Sequence, residues 1–481
     1  MSQPSHVVSG KSHLGILMML AWPAILEQLL LTLVRYVDTA MVGSLGANAT
    51  AAVAINASPT WLISSILSAI GVGYSVQVAH SIGAKDKQAT ARIVRQALLA
   101  VLFMGISIML ICLLIAPHLP KWMGAQPDVL PDAVRYLQIY VLSLPFQCGS
   151  YTFSAVLRCM GDTKTPLILN TAANLLNVVL NFFLIFPTRP TELFGMSFTV
   201  PGAGWGVAGA AIATTISTAI TGLGISYTAL FRKPDCRISL HDSFKPDREI
   251  IHRALELGVP TALEHATVSA GQIVVTRINA TLGTVALAAD HVAVTAEGLS
   301  YMPADGISYA ATALVGQSYG AQEFEDAHRF GKLSGLTGLA FSTVMGIMLF
   351  IFATPLASIF SSDPAVIELA AQMLRIVAIA EPLFGVAIVM SGALRGLGDT
   401  RFPLVISLIG MWGVRCVLAP TLVFGFKIGL AGSWIAMVCD LCVRGQTLHS
   451  TVSGRKSPLR ASALFQPPFQ NGKEAGFFMD C

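Results

Sequence analysis

Charged side chains are scarce in this sequence. Only 12% of its 481 residues are Asp, Glu, Lys or Arg, whereas 54% are hydrophobic and the mean hydropathy is +0.67. Soluble globular domains carry about 25% charged residues, so this chain has too few to cover a water-facing surface of its size. Its apolar residues also come in blocks near the length of about 20 that a bilayer crossing requires. The composition excludes an ordinary soluble enzyme and indicates a polytopic membrane protein.

The sequence motifs of several catalytic and energy-coupling sites are also missing. The chain contains no Walker loop, no HExxH and no GxSxG, which disfavours an ATP-driven pump or an intramembrane hydrolase. The eight cysteines are scattered rather than arranged as a disulfide framework. The net charge of +4 is mild and is explained by the placement of Lys and Arg beside the membrane. We therefore expect no enzyme activity, no cofactor and no nucleic-acid partner.

Twelve apolar blocks follow one another along the chain, and they predict twelve transmembrane helices. The blocks lie near residues 15–42, 52–80, 93–116, 134–158, 166–187, 206–231, 252–281, 285–316, 331–359, 366–394, 403–424 and 428–443. Lys and Arg are concentrated in every second loop, and the positive-inside rule makes that side cytoplasmic. An even number of spans then places both termini in the cytoplasm, and we expect a multi-pass protein of the plasma (inner) membrane.

These blocks also predict a domain organisation. The prediction comprises a cytoplasmic N-terminal segment (1–14), a first lobe (15–231), a cytoplasmic linker (232–251), a second lobe (252–443) and a cytoplasmic, disordered tail (444–481). The last span is expected to be short, because the charged residues Asp440 and Arg444 interrupt its apolar run.

One phrase occurs once in each half of the chain. Residues 157–167 read LRCMGDTKTPL and residues 394–404 read LRGLGDTRFPL, 237 positions later. The same offset relates other short matches, and it falls to 223 before the last helix, where the second half lacks 14 residues. The chain is therefore interpreted as a tandem duplication of six helices. Because each copy has an even number of spans, the fold class is an all-α membrane protein with two six-helix bundles, related by a pseudo-twofold axis along the membrane normal.

The repeated phrase itself is typical of a tight corner between two helices. Arg158 falls in the last turn of a helix, where a cation suits the negative end of the dipole. Gly161 suits the left-handed position after that helix, and Asp162 or Thr163 can cap the next one.

Two acidic residues lie in the first apolar block. An ionisable side chain at bilayer depth costs about 3 kcal/mol or more, so each requires an explanation. Asp38 follows Glu27 by eleven residues, which returns it to within about 20° of the same helix face. The two carboxylates are thus expected to line one wall at different depths. Alternatively, Asp38 pairs with Arg35, one turn earlier on the same helix.

Amide side chains form a stripe in the fifth block. Spacings of four, three and four place them along one helix face: Asn170, Asn174, Asn177 and Asn181. Such a stripe can bind a cation through its oxygen atoms or pin neighbouring helices together, and the residues alone do not choose between these roles.

Proline precedes a glutamate by four residues in both halves, as Pro23 before Glu27 and Pro260 before Glu264. A proline inside a helix removes a backbone hydrogen bond and allows bending, as gating would require.

The eighth and the last two blocks contain further ionisable residues. His291 can shuttle protons or make a hydrogen bond at a helix end, and Glu297 lies in the same polar helix. Arg415 and Asp440 are expected to form a buried structural pair between the last two helices.

Taken together, these motifs resemble the MATE (multidrug and toxic compound extrusion) family of transporters. The resemblance covers roughly residues 15–443, and the segments that carry it are Pro23 to Gly46, the two GDT corners, LVGQSYGA at 314–321 and GVAGAAIAT at 206–214. It implies a central cavity between two bundles and the export of amphipathic, often cationic organic compounds, driven by inward flow of H⁺ or Na⁺. It also implies a monomer that acts among membrane lipids.

The resemblance further implies a cation site at Asp38, Asn177, Asn181 and Thr214. Position 181 carries an amide in place of the second carboxylate of one family branch, which favours H⁺ over Na⁺ as the coupling ion. Glu264 falls at the position of a proposed cation ligand in another branch. Glu27, Pro23, Pro260, His291 and Glu297 remain candidates for the cavity or for gating.

Two alternatives remain open at this point. One is a flippase for lipid-linked precursors, although few Arg or Lys lie at mid-depth, chiefly Arg35, Arg277 and Arg415. The other is a transport-inactive membrane scaffold or sensor, which the amide at 181 and the short last span would suit.

Overall fold

The computed structural model describes residues 12–193, 196–233 and 244–454, and these are almost entirely helical. In the first repeat the helices are α1 (His13–Gly43), α2 (Ala47–Gly83), α3 (Lys87–Ile115), α4 (Leu119–Trp122), α5 (Leu130–Val141), α6 (Leu144–Cys159), α7 (Lys164–Leu184) and α8 (Gly206–Tyr227). A π-helical turn, Thr228–Arg232, extends α8. The all-α fold is confirmed.

The second repeat contains the same sequence of elements. Its helices are α9 (Arg248–Ala280), α10 (Thr284–Gly320), α11 (Phe324–Ile351), α12 (Ala353–Phe360), α13 (Pro364–Ala378), α14 (Glu381–Gly396), α15 (Arg401–Leu408), α16 (Cys416–Pro420) and α17 (Leu430–Gly454). The π-helical stretches Ile409–Arg415 and Thr421–Gly425 join α15 and α16 into one span. α5 with α6, and α13 with α14, form one crossing each, so each repeat has six crossings.

Backbone geometry shows that the two repeats are copies. α2 and α10 both have 37 residues, and their ends are 237 positions apart. The left-handed residues also recur at this offset, with φ of 58° at Lys85 and 62° at Gln322, and 84° at Gly161 and 86° at Gly398. The duplication inferred from the sequence is therefore present in the fold.

A two-stranded antiparallel hairpin breaks the symmetry. It consists of β1 (Pro187–Leu193) and β2 (Met196–Ala203), between α7 and α8. The second repeat passes from Gly425 to Leu430 in its place, which accounts for the 14 residues that it lacks. The sequence analysis located this insertion but did not predict strands.

Not every crossing is apolar along its length. Seven helices are long and apolar enough to span a membrane by composition, and α13 with α14, bent by 60°, is an eighth. The other four crossings are α5 with α6, α9, α10 and α17. Polar or ionised residues dilute α9, α10 and α17, and their buried faces account for these residues in the sections below.

The two lobes meet along α1 and α10, α2 and α9, and α2 and α10. We call the end where α2, α6, α10 and α14 terminate the basic end, and the opposite end, which carries the strands, the hairpin end. At the basic end α2 and α10 cross very closely. A Cβ on Gly83 would lie 2.0 Å from the Gln317 carbonyl oxygen, and one on Gly320 would lie 2.1 Å from that of His80.

Two hydrogen bonds connect the lobes at this crossing, and the pseudo-twofold axis relates them. His80 Nε2 lies 2.8 Å from the carbonyl oxygen of Gly396, and Gln317 Nε2 donates to that of Cys159 at 2.6 Å. His80 and Gln317 are 237 positions apart, as are Cys159 and Gly396. Each lobe thus contributes one side chain and one helix-end carbonyl group.

Some predicted boundaries differ from the structure. α17 continues to Gly454, so residues 444–454 are helical rather than part of a tail, and the last span is 25 residues long rather than short. Arg444 binds Asp440 one turn away with two contacts of 2.6 Å, which neutralises the charges that appeared to end the helix. α9 begins at Arg248, inside the predicted linker 232–251. The predictions for residues 1–11, 234–243 and 455–481 lie outside the described residues.

Candidate functional site

Asp38 of α1 lies against α7 in the half of the first lobe nearer the hairpin end. Asn181 Nδ2 donates a hydrogen bond to Asp38 Oδ1. The Asn177 amide, turned to satisfy both of its groups, donates to the same oxygen at 2.7 Å and accepts from the Thr214 backbone N–H at 3.3 Å. The four residues predicted as one site, Asp38, Asn177, Asn181 and Thr214, are therefore brought together from α1, α7 and α8. Asp38 does not form the alternative ion pair with Arg35.

The surroundings of this carboxylate can be adjusted by rotation of the two amides. Asn177 and Asn181 are 4% and 1% exposed, so solvent does not compete for their polar groups. With their N–H groups toward Asp38 they stabilise an ionised carboxylate in the absence of any cation. The Asn181 Oδ1 oxygen is buried and has no hydrogen-bond partner. An amide presents an acceptor oxygen when it rotates by 180°. Together with Asp38 and the Thr214 hydroxyl, the amides can then offer oxygen ligands to a hard cation.

The second lobe has no equivalent of this site. The positions that correspond to Asp38, Asn177, Asn181 and Thr214 are Val275, Val414, Leu418 and Met437. Val275 and Met437 are buried in apolar surroundings. The polar chemistry of this position is confined to one copy of the duplicated unit.

Glu27 belongs to a different cluster, nearer the basic end. Its Oε1 accepts from Arg158 Nη2 at 2.7 Å and from Asn170 Nδ2 at 2.6 Å. Glu27 is 1% exposed, so this is a buried ion pair. α1 and α7 run side by side, and each carboxylate of α1 meets one amide of α7: Glu27 meets Asn170, and Asp38 meets Asn181. The asparagine stripe therefore serves two separate clusters rather than one.

Glu264 occupies the corresponding cluster of the second lobe. Arg395 Nη2 donates to Glu264 Oε2 at 3.0 Å, and Ser407 Oγ donates to Oε1 at 3.1 Å. These three residues correspond to Glu27, Arg158 and Asn170 at the offset of 237. Glu264 is thus placed in an ion pair and lies apart from the Asp38 site.

The roles of Arg158 and Arg395 were missed in the sequence, where Arg158 was interpreted only as a helix-end cation. The recurring offset was a usable signal, because a glutamate and an arginine keep the same separation of 131 residues in both halves.

The two prolines do not interrupt their helices, since α1 and α9 are continuous through Pro23 and Pro260. Pro260 cannot donate to the carbonyl group of Glu256, four residues earlier. The Thr400 hydroxyl lies 3.5 Å from this freed oxygen. Thr400 belongs to the GDT corner, so the corner is directly connected to the proline of the neighbouring helix.

The remaining candidates lie on α10, away from Asp38. The His291 side chain is exposed and has no hydrogen bond or ion pair within the described part of the chain. Glu297 is buried, close enough to Glu381 and Arg415 for their charges to act on it. Glu381 is fully buried and accepts from Ser300 Oγ at 2.7 Å.

The predicted Arg415–Asp440 pair is not formed. Asp440 binds Arg444 on its own helix, whereas Arg415 Nη2 lies 2.9 Å from the sulfur of Met437. A partner one turn away is always within reach, so Arg444 displaces the more distant Arg415.

The fold and the site define a membrane protein with two homologous six-helix lobes and an intramembrane carboxylate in one of them. A family model described as MatE matches residues 23–183 and 260–421, one match in each repeat. The chain belongs to this family.

Curated relatives match almost the whole chain. The "Probable multidrug resistance protein NorM" of Thermotoga maritima is 31% identical over 432 residues, covering 89% of each chain. The "Uncharacterized transporter YisQ" of Bacillus subtilis is 28% identical and covers 89% of this chain and 92% of its own length. The "Probable multidrug resistance protein NorM" of Neisseria meningitidis serogroup A is 25% identical over 429 residues.

Solved structures support the fold. A structure titled "Outward-facing conformation of a multidrug resistance MATE family transporter of the MOP superfamily" superposes with a TM-score of 0.84 at 23% identity, covering 94% of this chain and 97% of the other. A structure of a MOP superfamily transporter from Pyrococcus furiosus gives a TM-score of 0.85 at 23% identity. The twelve-helix, two-lobe architecture predicted from the sequence is confirmed.

Proposed function

We propose that this protein is a secondary active antiporter that exports amphipathic, often cationic organic compounds in exchange for H⁺ or Na⁺. The observation that carries the proposal is the Asp38 carboxylate, which lies inside the membrane-spanning region and is contacted by two buried amides. Membership of the MatE family and relatives named as multidrug resistance proteins support the substrate class.

The same geometry supports a coupling mechanism. A proton or cation that reaches Asp38 removes the negative charge to which the amides of Asn177 and Asn181 donate. Those amides then lose their reason to point toward α1, and the contact between α1 and α7 weakens. Ion binding therefore changes how α1 packs in the first lobe. Because α1 also packs on α10 of the second lobe, this change is transmitted to the relative position of the lobes.

We favour H⁺ as the coupling ion. Asp38 is the one carboxylate of the site, and the amide at Asn181 stands where a second negative charge would strengthen Na⁺ binding. Protonation needs one basic oxygen and no coordination shell, whereas a hard cation needs several oxygen ligands.

The ion pairs disfavour a flippase with a strongly cationic cavity. Arg158 and Arg395 lie at the inner ends of α6 and α14, but Glu27 and Glu264 neutralise them. Orientation follows from the positive-inside rule: the basic end faces the cytoplasm, with both termini, and the protein lies in the plasma (inner) membrane. A monomeric transporter, rather than an enzyme, agrees with these features.

Transport by Asp38→Asn in proteoliposomes tests the proposal. Efflux of a fluorescent organic cation is measured under an imposed pH gradient, and separately under a Na⁺ gradient. We expect wild-type flux with the pH gradient and a loss of at least about tenfold in Asp38→Asn, because an amide cannot carry the proton.

Glu325→Gln is the matched control, since it neutralises an exposed carboxylate that pairs with Arg329 on the surface of α11. Equal melting temperatures of both variants in detergent would show that each is folded. Full gradient-driven flux in Asp38→Asn would refute the mechanism, and flux driven only by Na⁺ would replace H⁺ by Na⁺.

A further inference from the structure

Three polar side chains share one face of α10 at the boundary between the lobes. Tyr301, Asp305 and Tyr309 are spaced by four residues, which places them one above the other on a helix. The Tyr309 hydroxyl accepts from Gln28 Nε2 of α1 at 3.1 Å. The Tyr301 ring packs edge-on against Phe384 of α14, with centroids 5.5 Å apart. This face therefore lies between the first lobe and α14, where a cleft between rocking lobes would open.

Asp305 is the carboxylate of this region that has no neutralising partner. It is partly exposed and forms no hydrogen bond or ion pair with the described residues. The charge of Arg395 acts on it, but that guanidinium binds Glu264. Arg158 stacks over the Tyr309 ring at 4.4 Å and is neutralised in the same way by Glu27. With both arginines paired, this part of the face keeps a net negative charge.

Two tyrosine rings flank this charge. The faces of aromatic rings attract cations, most strongly when water is excluded. Tyr309 is 36% exposed, so its ring is not fully covered by Arg158 and Gln28. The exposed Arg35 of α1 acts on the Tyr301 phenol, which makes that end of the face less negative. A cation therefore fits best at Asp305 itself, on the side of Tyr309.

We propose that Asp305, flanked by Tyr301 and Tyr309, binds the positively charged nitrogen or phosphorus centre of the exported compound. This assigns the substrate class of the site as monovalent organic cations with an apolar body, and it rests on the export function proposed above. The coupling ion and the substrate would then occupy separate carboxylates, Asp38 in the first lobe and Asp305 in the second. Exchange would be coupled through lobe movement rather than by direct competition for one carboxylate.

Binding to purified protein tests this proposal without requiring transport. The probes are tetraphenylphosphonium and an uncharged aromatic amphiphile of similar size, and their Kd values are measured by tryptophan fluorescence quenching. For Asp305→Asn we expect the Kd of tetraphenylphosphonium to rise about tenfold or more, with that of the uncharged probe unchanged. Asp305→Glu should restore most of the affinity. Glu325→Gln should change neither value.

Tyr309→Phe separates the aromatic contribution from the hydrogen bond to Gln28. It keeps the ring and should raise the Kd of the cation less than about threefold, whereas Tyr309→Leu should raise it further. Equal losses for charged and uncharged probes in Asp305→Asn would overturn the proposal, because they would indicate a distorted cleft.

Proton uptake distinguishes this proposal from the proposed function. In proteoliposomes under a pH gradient, Asp305→Asn should retain substrate-stimulated proton uptake when the substrate concentration is raised above its new Kd. Asp38→Asn should lose this uptake at every concentration while its Kd for tetraphenylphosphonium stays within about threefold of wild type. Unchanged cation affinity in Asp305→Asn alongside lost coupling in Asp38→Asn would reject the Asp305 site alone. Absence of cation binding to the wild type would reject both.

Discussion

At the scale of single residues, the most constrained positions are the two glutamates that pair with arginine inside the lobes. Glu27 is 1% exposed and holds Arg158 at 2.7 Å, whereas the Glu264–Arg395 pair is longer, at 3.0 Å, and more accessible, with side chains 11% and 20% exposed. Removing one partner of a buried pair leaves an uncompensated charge, which costs more than the pair itself contributes. The two pairs should therefore respond differently to the same substitution.

We expect Glu27→Gln to lower the free energy of unfolding by about 3 kcal/mol, and Glu264→Gln by less, since water reaches Arg395 more easily. Thermal unfolding in detergent measures both. The double variant Glu27→Gln with Arg158→Met should be more stable than Glu27→Gln alone, because it removes the uncompensated charge. Equal destabilisation by Glu27→Gln and Glu264→Gln would contradict this explanation.

Asp162, at the corner between α6 and α7, provides a pH-dependent test outside the membrane-spanning segments. It accepts from the Thr165 backbone N–H at 3.0 Å and from its hydroxyl at 2.7 Å, and it contacts Lys233 Nζ. Burial opposes ionisation of this carboxyl, but Lys233 and Thr165 outweigh it, so its pKa lies below the ordinary 3.8. Because the folded pKa is lowered, the stabilisation is present above that ordinary value and disappears as the pH falls below it.

We expect Asp162→Ala to lower the free energy of unfolding by about 1 kcal/mol through the lost cap, and Asp162→Asn to lower it less. The difference between wild type and Asp162→Asn should stay constant between about pH 6 and pH 8 and shrink below about pH 4. Melting temperatures across this range measure it. A difference that grows on acidification would show the opposite sign of linkage.

At the scale of elements, the crossing of α2 and α10 depends on two glycines that have no space for a side chain. A Cβ at Gly83 or Gly320 would overlap the backbone of the facing helix, at 2.0 Å and 2.1 Å. The sequence placed both glycines in matching phrases, but it did not show that their helices touch. Contact between segments far apart in sequence is a tertiary property that local patterns do not encode.

We expect Gly83→Ala to separate α2 and α10 at the basic end and to favour the state that is open there. Cys159 is 3% exposed beside this crossing, so its alkylation rate, measured by peptide mapping, reports the separation. We expect a rise of several-fold, on the order of the roughly 1 kcal/mol that overpacking costs. Gly43→Ala, where a Cβ meets nothing within 4 Å, is the control. Slower alkylation of Cys159 in Gly83→Ala would contradict the closed arrangement.

The helix assignments show where sequence reasoning succeeds. The offset of 237 predicted matched helices, and α2 and α10 begin and end at matched positions. It failed at α17, because the Asp440–Arg444 pair neutralises charges that, taken singly, disfavour a membrane helix. It also treated Glu27 and Asp38 as one wall, because helical spacing gives the face of a residue but not its partner on another helix.

At the scale of the whole molecule, two lobes of shared origin are connected at the basic end by one hydrogen bond in each direction. The bonds from His80 to Gly396 and from Gln317 to Cys159 must both break if the lobes are to separate there. Both acceptors are carbonyl groups at the last turn of a helix, beside the left-handed Gly161 and Gly398, so they are free of helical partners. The connection is thus built from the corner phrase that the chain contains twice.

We expect His80→Ala and Gln317→Ala to weaken this connection by similar amounts, each on the order of 1 kcal/mol. Each should raise the alkylation rate of Cys159 by roughly fivefold, and the double variant should raise it further. His80→Gln, which makes the two halves chemically equal, should restore the wild-type rate. A wild-type rate in the double variant would show that glycine packing alone keeps the lobes together.

The apolar counterpart of the Asp38 site limits what the transporter can accumulate. When one half alone carries the exchangeable proton, each cycle admits one proton and releases one monovalent cation, with no net movement of charge. A gradient of one pH unit is worth about 1.4 kcal/mol, so it sustains at most about a tenfold ratio of substrate across the membrane. A chain that kept the carboxylate in both halves would square that ratio. By losing one copy of the acid, the duplicated protein exchanged a steeper concentration limit for half the proton consumption.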